Sequence, residues 1–148
     1  MREPHEVVVR LGAAGFRTEI EAGQHALVAD EPVEVGGTNG GPTPYDLLAA
    51  SLGSCTAMTI RIVAERRGWP LEGVVVGLRH RRVHEKDCET CATERVGIDQ
   101  FDRWIELSGP LTEDQRAALL QIADRCPVGQ TLTRGVRIAA VAPPPAAD

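Results

Sequence analysis

Val7, Val9 and Leu11 alternate with Val8 and Arg10 at the start of the chain, the period-two pattern of a strand with one covered face. Phe16, Thr18 and Ile20 repeat it against Arg17 and Glu19, and Gly12 and Gly15 between the two runs predict a hairpin. A third strand is predicted over His25–Ala29, ending at Asp30-Glu31-Pro32. Gly36, Gly37, Gly40, Gly41 and Pro42 follow, a density of breakers that only a loop accommodates.

The period then changes. Thr43 is a candidate helix N-cap, Pro44 stands at the first helical position, and Asp46 is where a capping-box acid belongs. Leu48, Leu52, Cys55, Thr59 and Ile62 recur at helical spacing, so the pattern places Cys55 on an apolar face of a helix that ends near Gly68, before Pro70. Two strands are predicted next, Val74–His84 and a shorter one over Arg103–Leu107. A second helix starts after Thr112, buries Leu119, Ile122, Ala123 and Cys126, and stops at Pro127. A last strand is predicted over Val136–Val141. Three strands, a helix, two strands, a helix and a strand do not make the regular βαβ alternation of a doubly wound sheet, and the order reads as α+β. It fills one domain over residues 1–142, with the Pro-rich tail 143–148 expected to fray.

Composition narrows the chemistry. With 148 residues the chain has room for one hydrophobic core. Aromatic residues make up 3% of it, which leaves little for base-stacking platforms, and a net charge of −5 argues against nucleic acid or anionic lipid as a partner. All the basic residues but Lys86 are arginine, and Lys86 lies in a polar stretch without the apolar shelter a Schiff-base lysine needs. The N-terminal residues carry charges at Arg2, Glu3, Glu6 and Arg10 with no apolar run of signal-peptide type, and no stretch approaches the roughly 18 consecutive apolar residues of a membrane span. The expected compartment is the cytoplasm, where thiols are reduced, metal-bound or catalytic.

The four cysteines therefore carry the question. Cys55 and Cys126 are expected to face inward, one from each helix, and buried cysteine also serves as a plain packing residue. If the helices pack together, the two thiols meet. Cys126, at a predicted helix C-terminus, faces the negative end of the dipole and should stay protonated, whereas an arginine could stabilise a thiolate at Cys55. That asymmetry suits a cycle in which one sulfur is oxidised to a sulfenic acid and the other condenses with it.

The stretch Gly41-Pro42-Thr43-Pro44-Tyr45-Asp46-Leu47-Leu48-Ala49-Ala50-Ser51-Leu52-Gly53-Ser54-Cys55-Thr56 resembles the first-cysteine helix of the OsmC/Ohr family. Leu119-Leu120-Gln121-Ile122-Ala123-Asp124-Arg125-Cys126-Pro127-Val128 resembles its second-cysteine helix. The resemblance is closest to the general OsmC-like branch, with Pro-Tyr-Asp-Leu-Leu and Cys-Pro-Val. It implies antiparallel sheets around two long central helices in an intertwined homodimer. It also implies reduction of organic hydroperoxides by thiols, without haem or flavin, with a dithiol such as a lipoyl group as reductant. Cys55 matches the peroxide-attacking cysteine and Cys126 the resolving one. In the family's hydroperoxide reductases a Glu follows the helix-starting Pro and pairs with an Arg of the N-terminal hairpin. Here Tyr45 holds that place and the acid comes one residue later, at Asp46, turned by about 100° around the helix. Arg17 is the matching arginine, and an exposed strand residue is its plainer reading. Related sequences carry a basic pair after Cys-Pro-Val, where this chain has Gly129-Gln130.

Cys88-x-x-Cys91 lies in a polar loop preceded by His80 and His84. Zinc ligation by His84, Cys88 and Cys91, a labile disulfide and unpaired surface thiols all remain open for this pair. Against the peroxidase stands a second class of function, a small-molecule or zinc-binding module of the same fold in which the helical cysteines only pack.

Overall fold

The computed structural model describes residues 6–83 and 98–142. The chain divides into two compact units, one formed by Met1–Gly53 with Val76–Trp104 and the other by Ser54–Val75 with Ile105–Asp148. Helix α1 (Pro44–Arg66) and strands β4 (Gly73–Val83) and β5 (Ile98–Ser108) each contribute to both.

In the first unit, β1 (Val7–Leu11), β2 (Thr18–Ala22) and β3 (His25–Ala29) form an antiparallel meander in the order β1-β2-β3. The register pairs Val9 with Ile20 and Ile20 with Leu27, so Val7, Val9, Leu11, Ile20, Leu27 and Ala29 share one face. Ile20 and Ala29 are buried, while Val7, Val9, Leu11 and Leu27 remain about half exposed. The second run begins at Thr18 rather than Phe16, because Gly15 turns through φ 72° and Phe16 stays in the bend.

The glycine-rich loop is organised by one carboxylate. Asp30, 1% exposed, accepts the Thr38 hydroxyl at 2.6 Å and the Thr38 and Gly40 amides at 3.0 Å on one oxygen, and the Glu31 amide at 2.8 Å on the other. The Thr38 hydroxyl first, then the amides, hold its carboxyl far below the usual carboxylate range. Gly41 passes so close to the Val28 carbonyl that a Cβ there would collide with it. The loop delivers the chain to Thr43, whose hydroxyl and amide are taken by Asp46 at 2.8 and 2.9 Å while Thr43 Oγ1 accepts the Asp46 amide at 3.2 Å. That reciprocal cap starts α1 where the sequence predicts it.

Helix α1 ends in a Schellman turn: Gly68 adopts φ 63°, its amide reaches the Glu65 carbonyl, and the Trp69 amide reaches that of Ala64 at 2.9 Å. By length and composition the helix would pass for a bilayer span, yet Ile60 and Ala64 are buried in the core of the second unit. Its buried row is Leu52, Thr56, Ile60 and Ala64, one step round from the predicted one, and Ile62 is exposed.

The predicted strand over Arg103–Leu107 is longer, Ile98–Ser108, and pairs with β4. The Glu72 amide bonds the Ser108 carbonyl at 2.9 Å, and Trp104 lies on the backbone of Gly77, where a Cβ would fall inside the indole. Those contacts run in opposite chain directions, so the pair is antiparallel.

In the second unit Ile60, Ala64, Leu71, Leu111, Leu119 and Ala123 form the core, flanked by Val63, Trp69, Val74, Ile105 and Leu107. Arg61 donates to the Leu71 and Glu72 carbonyls at 2.6 and 3.1 Å, and Arg116 to those of Leu107 and Gly109 at 2.7 and 2.8 Å. Helix α2 (Glu113–Ile122) opens on a capping box between Thr112 and Gln115. The second long helix of the sequence reading is not formed. α2 gives way to a 3-10 turn at Ala123–Arg125, and a separate helix α3 (Pro127–Arg134) follows. Pro127 starts a helix instead of stopping one, since proline is at home at the first helical position. No strand forms over Val136–Val141, which runs on without regular structure.

Candidate active site: two thiols in one compact unit

Cys55 and Cys126 both fall in the second unit. Cys55 precedes the buried Thr56 on α1 and is half-buried, whereas Cys126 is 0% exposed. Both are free thiols, and their side chains lie within hydrogen-bonding reach of one another.

The setting of Cys126 differs from the sequence expectation. Cys126 stands between two helical segments: it closes the 3-10 turn Ala123–Arg125, its amide reaching the Ala123 carbonyl at 3.3 Å, and it is the N-cap of α3, with Pro127 behind it and the Gln130 amide bonding its carbonyl at 2.9 Å. Its backbone caps the N-terminal end of α3 without a side-chain cap hydrogen bond. Burial pushes the Cys126 thiol up, but the Cys55 thiol, the Gly129 amide, the Thr56 hydroxyl and the Val128 amide outweigh it, and the net direction is down. Burial also pushes the Cys55 thiol up, the Cys126 sulfur adds to the rise, and the Val128 amide and Thr59 hydroxyl only partly offset it. Thr59 Oγ1 already donates to the Cys55 carbonyl at 2.7 Å, and a hydroxyl has one proton to give.

The other expected participants are engaged in the first unit. The exposed Arg17 lies in the bend before β2, where its guanidinium and the Asp30 carboxylate both crowd Gly40. Asp46 is the cap of α1, its carboxyl held low by the Thr43 hydroxyl and amide. His80 Nε2 donates to the Asp99 carboxylate, 2.9 Å away, and its ring stacks on Tyr45 with ring centroids 4.1 Å apart. His84, Cys88 and Cys91, the candidate metal ligands, lie outside the described residues.

Thr56 and the first turn of α3 escaped the sequence reading. The i, i+4 row from Leu52 through Thr56 to Ile60 was a legible signal for the first. Pro directly after a cysteine, read as a first helical residue, was the signal for the second.

The family model described as OsmC-like protein matches residues 37–140. A search of the curated proteins finds no match. Among solved structures, the chain resembles an OsmC-like protein of Mycoplasma pneumoniae at 16% identity and a TM-score of 0.70, over 90% of this chain and 89% of that one. The organic hydroperoxide resistance protein OsmC of Legionella pneumophila aligns at 24% identity and a TM-score of 0.61, over 86% and 88% of the two chains. OhrB of Bacillus subtilis, an organic hydroperoxide resistance protein, aligns at 17% identity and a TM-score of 0.62, over 90% and 92%. These likenesses establish a shared fold.

Proposed function

Since the chain belongs to the OsmC-like protein family, we propose that its paired thiols reduce organic hydroperoxides in a two-cysteine cycle. The observation that carries this reading is the contact between one half-buried and one fully buried thiol in the same compact unit. Two of the similar structures bear the name organic hydroperoxide resistance protein, which supports the substrate class.

The accessible sulfur is the nucleophile. Cys55, as thiolate, attacks the terminal peroxide oxygen, the O–O bond breaks, and the alkoxide takes a proton and leaves as an alcohol. The sulfenic acid on Cys55 is attacked by the Cys126 sulfur, its hydroxyl departs as water, and a disulfide closes. A dithiol reductant, such as a lipoyl group, returns both sulfurs to thiols by exchange.

A second copy of the chain completes the molecule in this reading. The apolar face of the β1-β2-β3 sheet is half uncovered, and Ile138 and Val141 are 95% and 85% exposed in a segment whose sequence alternates like a strand. Apolar area on that scale calls for a partner.

The test is consumption of cumene hydroperoxide with dihydrolipoate as reductant. The parent should turn over and Cys55→Ser should not exceed background. Equal rates would leave a non-catalytic module. Arg17→Ala in the same assay should slow peroxide attack if its guanidinium assists, and an unchanged rate removes it from the proposal.

A further inference from the structure

In the first compact unit, β4 and β5 turn one face to α1 and the other away from it. Leu78 lies against Gly53, and His80 stacks on Tyr45, so the alternate residues Gly77, Arg79 and Arg81 point to the opposite side. Trp104 and Asp102 of β5 meet them there. The indole of Trp104 lies flat on Gly77, and a Cβ at that position would strike it, so glycine is what lets the ring sit flush with the strands. Trp104 is nonetheless 54% exposed, which leaves its outer face free. Both oxygens of Asp102 are engaged on the same side: Oδ2 accepts from Arg81 Nε at 2.7 Å, and Oδ1 from Gln100 Nε2 at 2.6 Å. Arg79 is exposed and has no hydrogen bond or ion pair with any of the described residues. A cavity of about 320 Å³ opens here, lined by Leu78, Arg79, Asp102, Arg103 and Trp104. That volume is at the lower end of the range that takes a small organic ligand.

We propose that this face of β4 and β5 binds a small aromatic carboxylate, its ring stacked on the free face of Trp104 and its carboxylate held by the Arg79 guanidinium. An indole face takes a second aromatic ring in offset stacking. The planar fork of a guanidinium matches the two oxygens of a carboxylate. The charges fit the same ligand. Arg81 and Asp102 cancel one another, and Arg79 leaves the cavity wall positive on a chain whose net charge is −5. A neutral ring would make the stacking contact and miss the ionic one. The size of the cavity limits the ligand to one or two fused rings. The site uses neither thiol, and the two-cysteine reading above is not among its premises.

Calorimetric titration of the whole chain with naphthoate, and with naphthalenemethanol as the uncharged probe, tests the proposal. Naphthoate should bind saturably, one per chain, and naphthalenemethanol about tenfold more weakly or worse. In nuclear magnetic resonance spectra naphthoate should move the Trp104 indole N–H and the Gly77 amide and leave the Trp69 indole in place. Arg79→Gln removes an exposed charge with no partner to lose, so the fold should be unaffected. It should weaken naphthoate about tenfold or more and leave naphthalenemethanol as it was. Gly77→Ala, which pushes the indole off the strand, should weaken both probes. The proposal is overturned by the absence of saturable naphthoate binding at millimolar concentration. Equal affinity for the two probes, which marks an apolar patch only, overturns it too, as does undiminished naphthoate binding in Arg79→Gln.

Discussion

In the second compact unit the side chains wholly removed from solvent are Ile60, Leu119, Ala123 and Cys126, with Thr56 the polar exception, whereas in the first the most buried side chain is the carboxylate of Asp30. One unit is held by apolar packing and the other by a charge that gathers four hydrogen bonds. The thiols sit in the apolar one. Close packing fixes side chains in single rotamers, so it can keep two sulfurs in contact through a catalytic cycle. A hydrogen-bonded hub does a different job: it shapes a glycine-rich loop that has few side chains to pack.

The contrast can be broken at four places. The largest effect is expected from Leu119→Ala, which empties a fully buried core position and should cost about 2–5 kcal/mol in denaturant unfolding. A cost below 1 kcal/mol would mean the core is not what holds this unit. Next comes Val9→Glu on the half-exposed sheet face. A charge pressed unpaired into an interface costs about 3–5 kcal/mol, so self-association should weaken by on the order of a hundredfold or more in sedimentation. An unchanged dissociation constant would place the interface elsewhere.

Asp30→Asn addresses the hub. Because the folded protein depresses the Asp30 carboxyl, chiefly through the Thr38 hydroxyl, the stability it contributes is complete above the ordinary aspartate range and drains away as pH falls toward the depressed value. The variant should melt lower at pH 7, and its stability should fall less steeply with acid than the parent's. Parallel pH profiles would show that the charge itself is not required. The smallest effect belongs to Thr112→Ala, which removes one half of the α2 capping box and should cost about 1 kcal/mol in denaturant unfolding, with peroxide turnover unmoved.

What could be read from the chain differs between the two regions for physical reasons. β1, β3 and the start of α1 follow from local signals, strict alternation in the strands and Thr43-Pro44-Tyr45-Asp46 at the helix, and the structure places them where those signals do. The Asp30 hub was not legible, because its partners at Thr38 and Gly40 are chosen by loop closure and not by any periodicity. Around Cys126 the local signal was present but ambiguous. Proline ends one helix and begins another equally well, and only the turn at Ala123–Arg125 decides which. That single ambiguity decided which helical segments meet at Cys126. The strand expected over Val136–Val141 failed for a different reason: a strand needs a neighbour to bond with, and this segment remains largely exposed.

The central claim is that Cys55 and Cys126 join in a disulfide after Cys55 is oxidised by a hydroperoxide. Treating the reduced protein with one equivalent of cumene hydroperoxide and mapping its peptides tests it most directly. The account predicts a disulfide joining the Cys55 and Cys126 peptides, the loss of two hydrogens, and release of the alcohol in equal amount. Oxidation confined to Cys88 and Cys91, or a stable sulfinic acid on Cys55 with Cys126 still reduced, would contradict it.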